Sequence, residues 1–443
     1  MKLWLDGQCF QSSSRRRGIG RYALAWIRAL AGEGAELVLS LNAAVPDDLE
    51  AIEDALLRDV PGLEIRHWHG IAEAGLAFTG ATERRRVSER VLDLHVGMIA
   101  PDAAICLSPF EAMSHPFVPF RPGPAFARPG FAIIYDFIPH RMPDDYLRTA
   151  KDREAYGALV AGLRAFDGFL AISAFAAEET RAILGAEAVT NLSAGIAPDW
   201  LAGTIRPRQP ASPFTILYVG ALDPRKNVGV CLDALQRVRQ QGGPAFRFEV
   251  HGAYSPGEGE ALLSQARRLG LAEEELVLAG SFRDEDLVSI YRRADLVIQP
   301  SLMEGFGLTA LEAMASGVPV LAARAGALPE VVGLDEALFD PRDPEDLAGR
   351  ILALMRDPDL RERLARHGLA RAADFTWARS AREGLAAIGG IAARKPATKP
   401  APVSQQAEED ALFEAVVAEA ETLSRGSLSR LLALNAPKGA GSG

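Results

Sequence analysis

The feature that most constrains this fold is the repeated alternation of short apolar runs with segments of helical spacing. In the first half of the chain, five apolar runs predict buried strands, and helical patterns lie between them. Such alternation builds βαβ units, in which a parallel sheet is covered by helices on both faces. The predicted strands are 1–5, 36–41, 103–107, 131–137 and 168–172, and the predicted helices include 20–30, 47–57 and 147–165.

A second series of the same kind follows a proline-rich segment at residues 206–213. Its predicted strands are 214–219, 246–251, 275–278, 296–299 and 318–322. The sequence therefore predicts an α/β protein with two doubly wound, Rossmann-like domains, at residues 1–205 and 213–375, facing a cleft at the carboxyl ends of their strands. Residues 376–393 are predicted to form a helix that crosses back towards the first domain.

Net charge, cysteine content and the length of the apolar runs indicate which partners and which cellular location to expect. The net charge of 48 − 58 = −10 argues against nucleic acid as the main partner. Three scattered cysteines predict reduced, buried thiols, and no apolar run reaches 18 residues, so we expect a cytoplasmic protein, with peripheral membrane docking left open. Residues 394–443 read as a Pro/Lys-containing linker and a helical tail that docks on a surface or partner.

The segment SLMEGFGLTALEAMASG, residues 301–317, places Glu304 and Glu312 on either side of a glycine-containing turn. A strand ends before the turn and a helix begins after it, so Gly305 and Gly307 let a ligand approach the backbone beside a helix N-terminus. Glu312 is predicted to bind a vicinal diol such as a ribose, and Glu304 a second polyol. The alternative is that both glutamates only serve the helix dipole and the solvated loop.

The segment YVGALDPRKNV, residues 218–228, is the second candidate. Gly220 ends a strand, Arg225 and Lys226 project from the turn that follows, and Asn227 is predicted to cap the next helix. Two adjacent cations at a strand's carboxyl end suit a diphosphate group. A solvated basic turn is the alternative.

The first half of the chain carries weaker candidates. Gly18 and Gly20 open a helix within a run of arginines that includes Arg17, which is typical of a loop that closes over phosphates. Asp136 and His140, in IIYDFIPHRMPDDY, follow a strand end, where loops often carry function. The remaining histidines show no spacing typical of metal ligands.

At these motifs the sequence resembles the GT-B glycosyltransferases of family 4, which are retaining enzymes that use nucleotide sugars, and in particular a mannosyltransferase-like subgroup. The resemblance covers residues 1–389 and is strongest over 214–374. It is carried by VGALDPRKNV, by the long segment from GSFRDEDL through SLMEGFGLTALEAMASG to LPEVVG, and by LFDPRDPEDLA, with RGIGRY and AGIAPDW in support.

The resemblance implies a role for each candidate. It makes the first domain the acceptor domain and the second the donor domain, with Glu312 on the donor ribose and Arg225 and Lys226 on the leaving diphosphate. It also implies that Glu304 contacts the donor sugar and that Asp136 takes part in catalysis. The other implied donor-binding residues are Gly18, Gly20, Gly220, Ser281, Phe282, Gly305, Phe306, Gly307 and Leu308, and the acceptor-side candidates are Arg17, Tyr135 and His140.

Two positions depart from the family pattern. Tyr135 precedes Asp136 where many members have histidine, and Ala221 follows Gly220 where many have arginine. The resemblance implies no cofactor and no metal, a nucleoside-diphosphate sugar as donor with GDP-mannose preferred, and a glycan or lipid-linked acceptor. A sugar-nucleotide epimerase or phosphorylase-like enzyme of the same fold, or a non-catalytic nucleotide- or glycan-binding protein, stays open.

Overall fold

The computed structural model describes residues 1–45, 48–71, 73–76, 78, 81–113, 117–123, 126, 128–201 and 213–394. The predicted tail helix and most of the proline-rich segment lie outside these residues. Within the described part of the chain, none of the helices combines the length and apolar composition that membrane crossing requires.

Thirteen strands are found among the described residues. They are β1 (Lys2–Asp6), β2 (Glu36–Asn42), β3 (Glu64–Trp68), β4 (Ala103–Cys106), β5 (Gly130–Ile134), β6 (Gly168–Ala171), β7 (Val189–Asn191), β8 (Phe214–Val219), β9 (Phe246–His251), β10 (Leu276–Gly280), β11 (Leu296–Gln299), β12 (Val320–Ala323) and β13 (Leu338–Phe339).

The α-helices of the described chain separate these strands. They are α1 (Gly18–Gly32), α2 (Leu49–Asp59), α3 (Thr82–Ile99), α4 (Ile138–Arg141), α5 (Pro143–Tyr146), α6 (Ala150–Leu163), α7 (Ala174–Leu184), α8 (Gly229–Gln240), α9 (Pro256–Arg268), α10 (Leu287–Arg292), α11 (Leu308–Ala315), α12 (Leu328–Val332), α13 (Pro344–Arg356), α14 (Pro358–Ala372) and α15 (Trp377–Ala392).

Two parallel sheets confirm the predicted fold class of two Rossmann-like α/β domains. The first has seven strands in the order β3-β2-β1-β4-β5-β6-β7, and the second has six in the order β10-β9-β8-β11-β12-β13. Each order reverses once, between β1 and β4 in the first sheet and between β8 and β11 in the second. In open α/β sheets ligands bind at such switch points, beyond the carboxyl ends of the strands.

The strand predictions were most accurate for three strands in the interior of the second sheet. β8, β9 and β11 have the predicted bounds, and their residues are largely buried. β3, β7 and β13 were not predicted, and each forms an edge of its sheet. β3 carries charged residues, and β7 and β13 contain only three and two residues, so none of them produces a clear apolar run.

The chain divides into two compact units. Unit 1 consists of Met1–Ile172, Ala177–Leu192 and the described residues from Ala378, and unit 2 of Ser173–Ala176 and Ser193–Trp377. Unit 2 thus begins at Ser193, ahead of the boundary predicted at residue 205. The reason lies in its first residues, because Ile196 forms a β-bridge with Thr376 and Trp200 packs against Tyr291.

Helix α15 occupies the segment where the crossing helix was predicted, and it packs within unit 1 almost from its start. The Tyr22 hydroxyl hydrogen-bonds Ser380, and the Arg382 guanidinium lies 2.9 Å from Glu33. Gly384 faces the indole of Trp26, with no side chain of its own to separate them. The last helix that the structure describes is therefore part of the first unit.

Candidate functional site

The candidate site of unit 2 lies at its switch point. A 3₁₀ turn, Pro224–Lys226, follows β8, and the loop from Ser301 to Gly307 follows the neighbouring β11. The backbone N–H of Leu302 donates to the carbonyl of Arg225 at 2.8 Å, which joins the two loops directly. The two motifs singled out in the sequence are therefore brought together by the strand order.

The carboxylate of Glu304 is the centre of this site. It is 7% exposed and accepts hydrogen bonds from four side chains. Lys226 Nζ lies 2.6 Å from Oε1 and Arg225 Nη1 lies 3.2 Å from Oε2. Gln299 Nε2 and Ser301 Oγ also donate to Oε1, at 2.8 and 2.6 Å. A carboxylate surrounded in this way is held in one orientation.

The charge of Glu304 is decided by its partners rather than by its burial. Burial raises the pKa of the carboxyl, but the Lys226 ammonium and the Arg225 guanidinium, with the hydrogen bonds from Lys226 and Ser301, outweigh it and lower the pKa to about 2. Glu304 is therefore ionised at neutral pH. Lys226 and Arg225, the residues predicted to bind the diphosphate, therefore form ion pairs with Glu304, the residue predicted to bind the sugar.

Sequence reasoning did not identify the neutral residues that support Glu304. Gln299, the last residue of β11, donates to Glu304 and accepts a hydrogen bond from Thr309 Oγ1 at 2.7 Å. Thr309 is in the first turn of α11, so this amide connects the Glu304 carboxylate to the start of the helix. The available signal was a polar residue ending an otherwise apolar strand, Leu-Val-Ile-Gln.

Glu312 lies within α11 and is held by a different partner. Its side chain is 3% exposed, and the hydroxyl of the fully buried Tyr291 donates to Oε2 at 3.0 Å. Tyr291 belongs to α10, which the sequence analysis passed over. Burial against a phenol argues against the alternative in which Glu312 is only a partner of the helix dipole.

The turn between the two glutamates needs glycine at Gly307. Its φ is +103°, and a Cβ there would lie 2.6 Å from Leu328 Cδ2, so a side chain would be both strained and in collision. Phe306 is buried with its ring edge-on to Phe375, at 5.7 Å between centroids. Gly305 is buried beside it, and Leu308 begins α11. No side chain caps the helix N-terminus.

Gly220 and the residues after β10 lie along the same edge of the sheet. The Gly220 N–H donates to the carbonyl of His251 at 2.8 Å, and the Gly252 N–H donates to that of Gly280 at 2.9 Å, so backbone pairing continues past the strand ends. Ser281 follows as an exposed residue and Phe282 as a half-buried one. This edge presents mainly backbone and small side chains.

The prediction that Asn227 caps the following helix was wrong. Asn227 has a φ of +54°, and its amide donates to the carbonyls of Pro300 and Pro341, at 3.2 and 2.8 Å. Val228, not Asn227, precedes α8, and it makes no capping bond through its side chain. The amide is drawn away from the helix because it bridges the loops that follow β11 and β13.

In unit 1 the glycine-containing loop enters α1. Gly18 is the first residue of the helix and Arg17 the residue before it. Gly20 lies so close to the carbonyl of Arg15 that any Cβ would collide with it. Tyr135, at the end of β5, donates from its hydroxyl to the carbonyl of Ile19 at 3.4 Å. The structure thus places Tyr135 against the loop that carries the predicted phosphate-binding residues.

The other unit 1 candidates lie on the loop and the short helix that follow β5, and both Asp136 and His140 interact with Tyr156. Asp136 accepts a hydrogen bond from the N–H of Ile138 at 3.0 Å, which shapes the entry to α4. His140 is exposed on that short helix. Arg15, Arg16 and Arg17 make no side-chain ion pair or hydrogen bond to any residue that the structure describes.

Unit 1 also holds buried carboxyl groups that sequence reasoning missed, among them Asp6 and Glu111. Asp6 ends β1 and accepts from Gln8 Nε2 at 3.0 and 3.2 Å. Burial raises the pKa of Asp6 to about 6, although the hydrogen bonds from Gln8 oppose the rise. Glu111 accepts from Ser12 Oγ and Ser108 Oγ, at 2.9 and 3.2 Å. The donors in these contacts are neutral side chains.

The cysteines are buried, and several histidines make polar contacts within the described chain. The three cysteines are free and buried, as predicted. Among residues with described placement, no group of three His, Cys, Asp or Glu side chains has the arrangement of a metal site. The histidine contacts are His67 with Glu53, His95 with Ser40, His251 with Glu249, and His367 with the carbonyl of Val332.

Parts of this chain are similar in sequence to known glycosyltransferases. Residues 205–371 match the family described as Glycosyl transferases group 1. The chain is 27% identical over 395 residues to the serotype-specific mannosyltransferase WbdA of Escherichia coli, covering 86% of this chain and 47% of WbdA. It is 37% identical over 161 residues to the O-antigen chain mannosyltransferase B of Escherichia coli, covering 36% of this chain and 42% of that protein.

One solved structure with the same fold is that of Anabaena Alr3699/HepE in complex with UDP. The TM-score is 0.63 at 19% identity, and the match covers 88% of this chain and 99% of that chain. At this identity the likeness establishes a common fold. The chain spans about half or less of the length of the curated relatives named above.

Proposed function

We propose that this chain, which carries a glycosyl transferases group 1 domain at residues 205–371, is a retaining glycosyltransferase. Its donor would be a nucleoside-diphosphate hexose and its acceptor a hydroxyl of a glycan or lipid-linked glycan. The observation that carries the proposal is the ionised Glu304 flanked by Lys226 and Arg225 at the switch point of unit 2. The family match and the mannosyltransferase relatives support this proposal.

The chemistry that such a site supports is departure of a diphosphate. The bond between the anomeric carbon and the diphosphate oxygen breaks, and a bond from that carbon to the acceptor oxygen forms. Lys226, Arg225 and the uncapped N–H groups at the start of α11 would stabilise the charge that develops on the leaving group. The acceptor proton would pass to a phosphate oxygen, as the family resemblance implies.

The remaining roles follow from the same resemblance. Glu304 would hold hydroxyls of the donor sugar, Glu312 the ribose, and Ser281 and Phe282 would lie near the base. Asp136, with the acceptor-side residues Arg17, Tyr135 and His140, would act on the substrates from unit 1. Transfer would need no cofactor and no divalent cation, and residues 394–443 would dock on a partner or membrane surface.

GDP-mannose is the preferred donor in this proposal. Two relatives, WbdA and the O-antigen chain mannosyltransferase B, are named mannosyltransferases, which supports a mannosyl donor. Competition between GDP-mannose, UDP-glucose and ADP-glucose in a transfer assay tests this preference directly. Equal or better use of a different sugar nucleotide would contradict it.

Calorimetric titration with GDP, UDP and ADP tests the donor site itself. Wild-type protein should bind at least one of them, and Lys226→Ala should lose most of that affinity because the diphosphate loses its closest ammonium group. Lys151→Ala is the matched control, since it removes a lysine charge from α6 in unit 1. Absence of binding to all three nucleotides would reject the proposal.

Transfer and its stereochemistry require a second experiment. Incubation with GDP-mannose and a panel of mannosyl acceptors, followed by NMR of the product, should give an α-linked sugar when the donor is α-linked, with EDTA causing no loss. Binding without transfer would favour the non-catalytic alternative. Interconversion of the sugar nucleotide in the absence of acceptor would favour the epimerase.

A further inference from the structure

Tyr291 connects the predicted ribose carboxylate to the rest of unit 2. It lies on α10, ahead of β11, and its side chain is completely buried. Its hydroxyl donates to Glu312 Oε2 at 3.0 Å. A donor fixed on one oxygen of a buried carboxylate restricts rotation of the group, and the other oxygen is then held in a defined direction.

The Tyr291 ring is itself held in place from a second direction. The ring of Trp200 lies 5.8 Å from it between centroids, tilted by 57°. Arg292, the neighbour of Tyr291 on α10, contacts Trp200 in turn: its Nη2 donates to the Trp200 carbonyl at 3.4 Å. The phenol therefore lies between Trp200 and Glu312 and has little freedom to move away from the carboxylate.

From this geometry we infer that Tyr291 is a positioning residue for ribose recognition, acting through Glu312; the inference rests on the proposed donor site. A carboxylate that accepts hydrogen bonds from both hydroxyls of a vicinal diol needs its two oxygens in one plane and at one angle. Tyr291 supplies that constraint without touching the ligand. The sequence offered no signal for it beyond an aromatic residue on a short helix.

The hydroxyl groups of the ligand distinguish a loss of ribose recognition from a general loss of protein stability. A nucleoside diphosphate that lacks the 2′ and 3′ hydroxyls cannot use Glu312, however well the carboxylate is positioned. Loss of the Tyr291 hydroxyl should therefore weaken binding of the ribose form and leave binding of the dideoxy form unchanged. A purely structural defect would weaken both.

The test measures the dissociation constants of GDP and UDP and of their 2′,3′-dideoxy counterparts for wild-type protein and Tyr291→Phe. The expected result is a loss on the order of 10-fold for the nucleotide with ribose and no change for its dideoxy form. Tyr22→Phe is the matched control, because it removes an equally buried, hydrogen-bonded hydroxyl from unit 1 and should change neither constant.

A second variant keeps the hydroxyl and loosens the ring. Trp200→Ala removes the packing partner of Tyr291 and should give a smaller loss, again confined to the ribose form. Equal losses for both forms, or no loss with Tyr291→Phe, would overturn the inference while leaving the proposed function intact. Wild-type protein that binds neither nucleotide would overturn the proposed function and the inference with it.

Discussion

Glu304 in unit 2 and Asp6 in unit 1 are both buried carboxyl groups at the carboxyl end of a central strand, yet their acidities move in opposite directions. Glu304 is surrounded by Lys226 and Arg225, which hold its pKa at about 2. Asp6 has only neutral donors from Gln8 and Cys106, so burial prevails and raises its pKa to about 6. Burial sets the direction of a shift only where no cation is within reach.

The cations of the two units differ in the same way. Lys226 and Arg225 are mostly buried and paired before any ligand arrives, whereas Arg15, Arg16 and Arg17 make no described side-chain contact. Preorganised charges can stabilise a leaving group without reorganisation at the moment of reaction. The cations of unit 2 are therefore already held in place by Glu304, whereas Arg15, Arg16 and Arg17 have no described partner.

The largest expected effect on stability comes from a substitution that breaks the ion-pair cluster of Glu304, Lys226 and Arg225. Lys226→Met leaves the buried Glu304 carboxylate with Arg225 as its only described cation, so we expect the free energy of unfolding of unit 2 to fall by about 3 kcal/mol. Denaturant unfolding followed by hydrogen exchange in β11 measures it. A loss below about 1 kcal/mol would mean that the cluster contributes little to stability.

Next in size is the dependence of stability on pH, which should differ in sign between the units. The folded pKa of Asp6 is raised from 3.8 to about 6, so its contribution is full below pH 3.8 and is lost as pH rises through about 6. The folded pKa of Glu304 is lowered from 4.5 to about 2, so its contribution is full above pH 4.5 and is lost as pH falls through about 2. Each difference corresponds to about 3 kcal/mol.

Hydrogen exchange in β1 and β11 across pH 3 to 7, corrected for intrinsic exchange rates, resolves these opposite trends. Asp6→Asn should remove the loss of protection in β1 on raising the pH, and Glu304→Gln should remove the loss in β11 on lowering it. Parallel trends in both strands would show that the surroundings of the two carboxyl groups do not differ as described.

A smaller effect tests the neutral support of Glu304. Gln299→Leu removes one donor to the buried Glu304 and the acceptor of the half-buried Thr309, which should cost about 2 kcal/mol. Gln236→Leu is the control, since its amide makes a single long contact, to the Leu269 carbonyl at 3.4 Å. Chemical denaturation of both variants measures the difference, and equal losses would contradict a specific role for Gln299.

The smallest effect is expected at the arginine loop. Simultaneous substitution of Arg15, Arg16 and Arg17 by alanine should change the unfolding free energy by less than about 0.5 kcal/mol, because no described contact is lost. The salt dependence of nucleotide binding should nevertheless weaken if these residues meet phosphate. A clear loss of thermal stability would show that the loop is engaged in the protein without ligand, as in unit 2.

Much of the fold could be predicted because central parallel strands are buried on both faces and must therefore be apolar. β3 escaped because it carries charged residues, and β13 escaped because two residues are too few to form a recognisable apolar run. At the candidate site, Glu304, Lys226 and Arg225 were recognisable from motif and spacing. Gln299 and Tyr291 were not, since an amide or phenol becomes functional only through what it contacts.

The sequence by itself determined the two α/β units, the glycine turn and the residue types of the candidate site. These depend on periodicity and on local backbone needs, such as the positive φ at Gly307. Only the tertiary structure decided that Glu304 is ionised between two cations, that Asn227 bridges loops and does not cap a helix, and that Tyr291 holds Glu312. Charge states and hydrogen-bond partners depend on distances between residues remote in sequence, and strand order sets those distances.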